Sequence, residues 1–229
     1  MLLPGSGSDE VFVSEVFAEP LASAGIGLYA PRPRQGPGII HQLLRELNLA
    51  AAQYGRVIAG GVSLGALLAA RWAVLDPQRC GGLLVALPAW TGPPGEAPAA
   101  AAALACAQRI ASAGLDAALA DARAGSPPWL ADELARAWRE GGPGIAGSLR
   151  VAASTPGPSL AELRRVDVPV GVVGLTDDPL HPLEVAREWV AALPRAALVT
   201  TSLAAIGRDR RTLGRAAVLA WLRAGGAGT

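Results

Sequence analysis

Lysine is absent: all twenty basic residues among the 229 are arginine. Without an amine side chain, the chain cannot be a P-loop NTPase, a Schiff-base enzyme or a hydrolase built on a Ser-Lys dyad. Cysteine is nearly absent as well. Cys80 and Cys106 can build neither a disulfide framework nor a metal-ligand spacing, and a reduced cytoplasmic setting is the expectation. Twenty basic and 19 acidic side chains leave a net charge of +1, which gives no electrostatic case for nucleic acid or an anionic membrane as partner. No positive side chain precedes Arg32, so Met1-Leu2-Leu3 does not read as a signal peptide. The longest run of low polarity, residues 97–107, is mostly alanine and too short to span a bilayer.

What is present describes a folded chain. Hydrophobic residues make up 51%, which excludes disorder as the main state, and the length suits one large domain or a domain with an insertion. Short apolar runs alternate with helical periods, the pattern of a parallel sheet wrapped by helices. Strands are expected at 1–3, 25–30, 56–60, 82–87, 168–173 and 196–201. Helices are expected at 12–24, 39–54, 64–75, 182–193 and 210–223. Between Pro88 and Pro158 the alternation stops, leaving alanine-rich helix, a Gly-Ser-Pro-Pro turn at 125–128 and a tryptophan-bearing helix from 129 to 140. The expected organisation is a core of residues 1–89 and 159–229 interrupted by a helical cap at 90–158.

The sharpest local signal is Gly61-Val62-Ser63-Leu64-Gly65, a G-x-S-x-G between a strand and a helix. A nucleophile at the point of so tight a turn is held at strained backbone angles, and side chains two residues either side would collide with it. The turn lifts the serine oxygen above the sheet edge. It also places the Leu64 N–H, at a helix N-terminus, beneath a developing oxyanion.

This motif in this setting resembles the α/β-hydrolase family, and the resemblance runs over almost the whole length. It implies an α/β fold with a mostly parallel sheet flanked by helices and a helical cap insertion. Pro4-Gly5-Ser6-Gly7 is similar to the family's oxyanion loop, which makes Ser6 or Gly7 the second backbone donor. The segment from Val168 to Pro182 resembles the strand that delivers the catalytic acid, and the spacing to Pro182 selects Asp178 over Asp177. Read without the resemblance, both aspartates could simply cap the helix beginning near Pro182. The family's first two strands have no counterpart.

The departure is the histidine. The family's chain order is Ser, acid, His, with the His in the loop after the last strand. Here that loop, 200–209, has none. His41 lies on a helix and reads as a surface residue. His181 stands three residues after Asp178, as a base or as a loop residue that fixes the acid turn. The second reading is the expectation, because acid and base so close along one loop rarely both reach their targets. Trp90, Trp129 and Trp138 are candidates for an apolar substrate pocket under the cap, or for packing between thin alanine helices. Trp72, Trp189 and Trp221 read as core. The arginines at 208, 210 and 211 read as a solvated helix start, with carboxylate binding as the alternative.

The favoured function is serine-dependent hydrolysis or acyl transfer on a small ester or thioester, with Ser63, Asp178 and His181 as candidate catalytic residues. No cofactor or metal is implied. Self-association into a homo-oligomer is left open. The alternatives are a non-catalytic binding protein that keeps the elbow, and a lyase or cyclase that forms no acyl-enzyme. With no histidine in the usual loop, the expectation is a formed elbow with weak generic esterase activity.

Overall fold

The computed structural model describes residues 1–227. The chain opens with β1 (Leu2–Leu3), α1 (Glu10–Ser23), α2 (Ile39–Tyr54), β2 (Val57–Val62), α3 (Leu64–Leu75) and β3 (Cys80–Ala86). Five helices follow without a strand: α4 (Pro98–Ala113), α5 (Leu115–Gly125), α6 (Pro128–Gly141), α7 (Ile145–Ser154) and the short α8 (Leu160–Leu163). The alternation then resumes with β4 (Val170–Leu175), α9 (Leu183–Ala192), β5 (Ala196–Thr201), α10 (Leu203–Arg208) and α11 (Arg211–Arg223).

The five strands form one sheet, parallel throughout, in the order β1-β2-β3-β4-β5. Every connection between neighbours carries at least one helix, as parallel pairing demands. Helices α2, α3 and α9 cover one face, where Leu43, Leu47, Leu67 and Trp189 are fully buried. Helices α1 and α11 cover the other, around Phe17, Val173 and Trp221. Covered on both sides, β3 and β4 read as near-continuous apolar runs, while the edge strand β5 is only half-buried.

Two local expectations are corrected. Residues 25–30 do not form a ladder strand; their one recorded tie to the sheet is the Leu2 N–H donating to the Tyr29 carbonyl at 3.0 Å. The partner is the reason: in a two-residue strand, alternate N–H groups face opposite sides, so β1 offers that side a single donor. The stretch 200–209 is not a loop but contains α10. Its N-terminus is capped by Ser202 and by the distant Asp177, whose carboxylate accepts from Leu203 and Ala204 N–H at 2.6 and 3.3 Å.

The helical segment between β3 and β4 has its own small core, in which Leu119, Trp138, Ile145 and Leu149 are buried. Its two ends meet: Gly92 N–H donates to the Pro158 carbonyl and Gly157 N–H to the Gly92 carbonyl, at 2.9 and 2.8 Å. It is also pinned at a distance. The fully buried Ser148 on α7 accepts from the Gly36 N–H at 2.8 Å.

Candidate active site

β2 runs directly into α3, and Ser63 is the residue between them, with φ 52° and ψ −113°. A non-glycine residue at positive φ is strained, and only two occur among the described residues, Ser63 and Leu87. Leu87 follows β3, and both side chains line the same cavity. Sequence reasoning had no signal for Leu87, because leucine carries no preference for that conformation. The glycines of the elbow are there for clearance. A Cβ on Gly61 or on Gly65 would collide with the Leu3 carbonyl oxygen on β1.

The turn after β1 lies beside this elbow. Ser8 N–H closes it by donating to the Gly5 carbonyl at 3.1 Å, leaving Ser6 and Gly7 at its centre and lining the cavity. The N–H groups of Ser6, Gly7 and Leu64 appear in no backbone hydrogen bond among the described residues, and Leu64 opens α3, where a helix has no internal acceptor to give. Ser6 and Gly7 share the lining of the cavity with Ser63.

Asp178 and His181 come from the loop after β4. The His181 Nε2 lies 2.9 Å from the Ser63 hydroxyl oxygen, and its Nδ1 lies 2.8 Å from Asp178 Oδ2. The expectation that His181 only fixes the turn is therefore corrected. Asp178 divides its work between its two oxygens. Oδ1 accepts from the backbone N–H of Leu180 and of His181, at 2.8 and 3.3 Å, and folds the loop back on itself. That fold brings the ring round to Oδ2, so one turn holds both side chains in place. Pro179 at the start and Pro182 at the end restrict the backbone between them.

Burial opposes ionisation of Asp178 and is the largest single influence on it. The hydrogen bond and charge of His181, with the Leu180 and His181 N–H groups, outweigh it and hold the carboxyl below the usual value of 3.8. An ionised Asp178 takes the Nδ1 proton as its hydrogen-bond donor, which leaves Nε2 bare to accept from the Ser63 O–H. Neither aspartate caps α9, whose N-terminus has no side-chain cap; Asp177 serves α10 instead. His41 is exposed on α2, away from all of this.

The tryptophans divide. Trp129 and Trp138 line the cavity of about 460 Å³ that contains Ser63 and His181. Trp90 does not: its indole N–H donates to the Thr155 carbonyl and its own carbonyl accepts from Trp189, so it packs the base of the helical segment. Trp72 bonds Asn48 and, like Trp189 and Trp221, belongs to the core. In the arginine cluster Arg208 and Arg211 are exposed near the start of α11, as expected, and Arg210 departs from that reading. Arg210 stacks over the Trp129 ring at 4.1 Å, and Arg211 pairs with Asp209 at 3.1 Å.

Helix α6 grips the turn after β1. The Trp138 indole N–H donates to the Gly7 carbonyl at 3.1 Å. Arg136 donates two bonds, at 2.7 and 2.8 Å, to Asp9, the buried carboxylate that also caps α1. Burial is the largest influence on Asp9 and raises its pKa, but the Arg136 guanidinium and the Phe12 and Val11 N–H groups together bring it below 3.8. A depressed carboxyl contributes stability that is present above its unfolded value and lost as the pH falls through the folded one. In urea titrations, the parent midpoint should therefore drop below pH 3.8 more steeply than that of Asp9→Asn. Equal slopes would contradict this role for Asp9.

Among the described residues no group of three or more His, Cys, Asp or Glu side chains could hold a metal ion, and no helix is long and apolar enough to cross a membrane. No family model matches the sequence, and no curated protein does. The backbone is more telling. MenH from Staphylococcus aureus superposes with a TM-score of 0.73 at 15% identity, over 97% of this chain and 92% of that one. This chain has the α/β-hydrolase fold. An enol-lactonase from Burkholderia xenovorans shares the fold with a TM-score of 0.69 at 18% identity, over 96% and 90% of the two chains. A thermophilic esterase from Thermogutta terrifontis does so with 0.66 at 17%, over 97% and 88%. In terms of the fold, the helical segment follows the third strand of this sheet, and the Asp178 loop follows the fourth.

Proposed function

We propose that the protein is a serine hydrolase that cleaves a small ester or thioester through an acyl-enzyme on Ser63. The observation that carries this reading is the unbroken hydrogen-bond chain from Asp178 through His181 to the Ser63 hydroxyl, in a cavity of ligand size. In the first half-reaction Ser63 Oγ attacks the substrate carbonyl carbon while His181 Nε2 takes the hydroxyl proton. Asp178, already ionised, stabilises the imidazolium. The oxyanion falls to the N–H groups of Leu64 and of Ser6 or Gly7. Collapse breaks the bond to the leaving alcohol or thiol, which departs with the proton from His181. Water then attacks the acyl carbon as it gives a proton to the same nitrogen; the Oγ–acyl bond breaks, His181 returns the proton to Ser63 Oγ, and the acid departs. An alcohol or thiol acceptor in place of water would make the same cycle an acyl transfer. Helices α4–α7 act as the cap over this site.

The test is turnover of p-nitrophenyl butyrate by the parent and by Ser63→Ala. The parent is expected to turn over steadily, and the variant to fall to the roughly 10³–10⁴-fold over water that binding and an oxyanion hole alone supply. Undiminished hydrolysis by Ser63→Ala would overturn the reading.

A further inference from the structure

The cavity extends well beyond the groups that do chemistry, and its extension has a consistent character. Along α4 its wall runs from Ala99 through Ala103 and Cys106 to Arg109. Ten residues at 1.5 Å rise make this about 15 Å, three turns of helix. The facing walls repeat the small or aliphatic choice at one-turn spacing, with Ala118 and Ala122 on α5 and Leu130 and Leu134 on α6. Alanine leaves space where a larger residue would fill it, so the alanine-rich composition of α4 and α5 is what hollows the cap.

Every charged side chain in the wall already has a partner. Arg109 is bound to Asp121 at 2.7 Å, Glu133 to Arg136, and Asp178 to His181. Burial pushes the Cys106 thiol up to about 11, so it faces the cavity as a neutral group. Arg109 and Asp121 are exposed at one end of the wall; along the rest of it a substrate carboxylate or ammonium would meet no unpaired counter-charge and would lose its hydration.

We infer that the α4–α5 wall of the cavity binds an uncharged hydrocarbon chain attached to the ester or thioester that Ser63 cleaves. The inference rests on the serine-hydrolase reading for its reaction and on the cavity wall for its chain. A fully extended chain advances about 1.2 Å per bond, so 15 Å holds a chain of about twelve carbons. The chain can belong to the acyl group or to the alcohol, and the experiment separates the two.

Two substrate series test this with the parent protein: p-nitrophenyl esters from acetate to dodecanoate, and alkyl acetates from ethyl to dodecyl. In one series kcat/KM is expected to rise about fourfold for each added methylene until the wall is filled, following the transfer free energy of a buried methylene. The series in which it rises names the side of the ester that occupies the wall. Leucine favours helix, so Ala103→Leu and Ala122→Leu keep α4 and α5 intact while filling the space. Each should lower the decanoate-to-acetate ratio, or its alkyl counterpart, at least tenfold and move the optimum to shorter chains. A flat or falling profile in both series overturns the inference, as does an unchanged optimum in both variants. Calorimetry on Ser63→Ala separates this failure from that of the hydrolase reading. Tighter binding of ethyl decanoate or decyl acetate than of ethyl acetate, in a parent that cleaves none of them, would keep the chain site and discard the reaction. Equal binding of all three would remove the site.

Discussion

His181→Ala is expected to lower turnover of a p-nitrophenyl ester by about 10⁴–10⁶-fold, with KM changed far less, as loss of the histidine does in well-studied serine proteases. The loss is large because the imidazole works only in the transition state. It accepts the proton that makes Ser63 a nucleophile and returns it to the leaving group. Asp178→Asn should fall in the same direction by about 10⁴-fold, because an amide can donate to Nδ1 and so hold the wrong tautomer. His41→Ala, on an exposed face of α2, should leave turnover where it was. If His41→Ala were the damaging change and His181→Ala the neutral one, the hydrogen bond between His181 and Ser63 would have no catalytic meaning.

Gly65→Val carries the second large effect, on the fold itself. A Cβ at this position would overlap the carbonyl oxygens of Leu3 and Pro4, which are backbone and cannot rotate away. The β1 strand, the turn after it and the first turn of α3 would all have to part. A loss of about 3 kcal/mol or more is expected, at the upper end of overpacking costs, and thermal unfolding should show it. Gly27→Ala is the control, since nothing lies within 4 Å of the added atom. A Gly65→Val protein with the parent's midpoint would mean that the β1–α3 contact is far looser than it is here.

Much of the fold could be read from local pattern because local pattern decides it. Helix α2 buries Ile39, Leu43 and Leu47 at one-turn spacing and ends at Gly55, and β5 is a half-buried run of mostly apolar residues that begins shortly after α9. The elbow was legible from its motif, although the backbone that its glycines chiefly clear is the Leu3 carbonyl on β1, distant in sequence. What escaped depends on distance. Residues 25–30 have strand composition, but whether they pair depends on how short β1 is. Helix α10 is capped by Asp177, 26 residues earlier, so its own sequence gives only half of the signal.

His181 is the instructive case. Spacing along a loop suggests that an acid and a base three residues apart compete for one position. The fold of the loop decides otherwise, because Asp178 spends one oxygen on the loop backbone and the other on the ring. A partial signal was present in the two prolines that bracket the segment. Trp90 failed as a pocket residue for a related reason. Its indole N–H found a carbonyl, Thr155, at the closure of the helical segment, and a buried donor goes where its acceptor is.

The most direct measurement of the account is the rate at which a fluorophosphonate labels the protein, followed by intact mass and peptide mapping. The probe reports one thing, a serine oxygen activated by a base within reach. The parent should gain a single adduct rapidly, on the peptide containing Ser63, and His181→Ala should gain it orders of magnitude more slowly. No adduct on Ser63 in the parent, or equal labelling rates with and without the His181 imidazole, would contradict the claim that Asp178, His181 and Ser63 act as one unit.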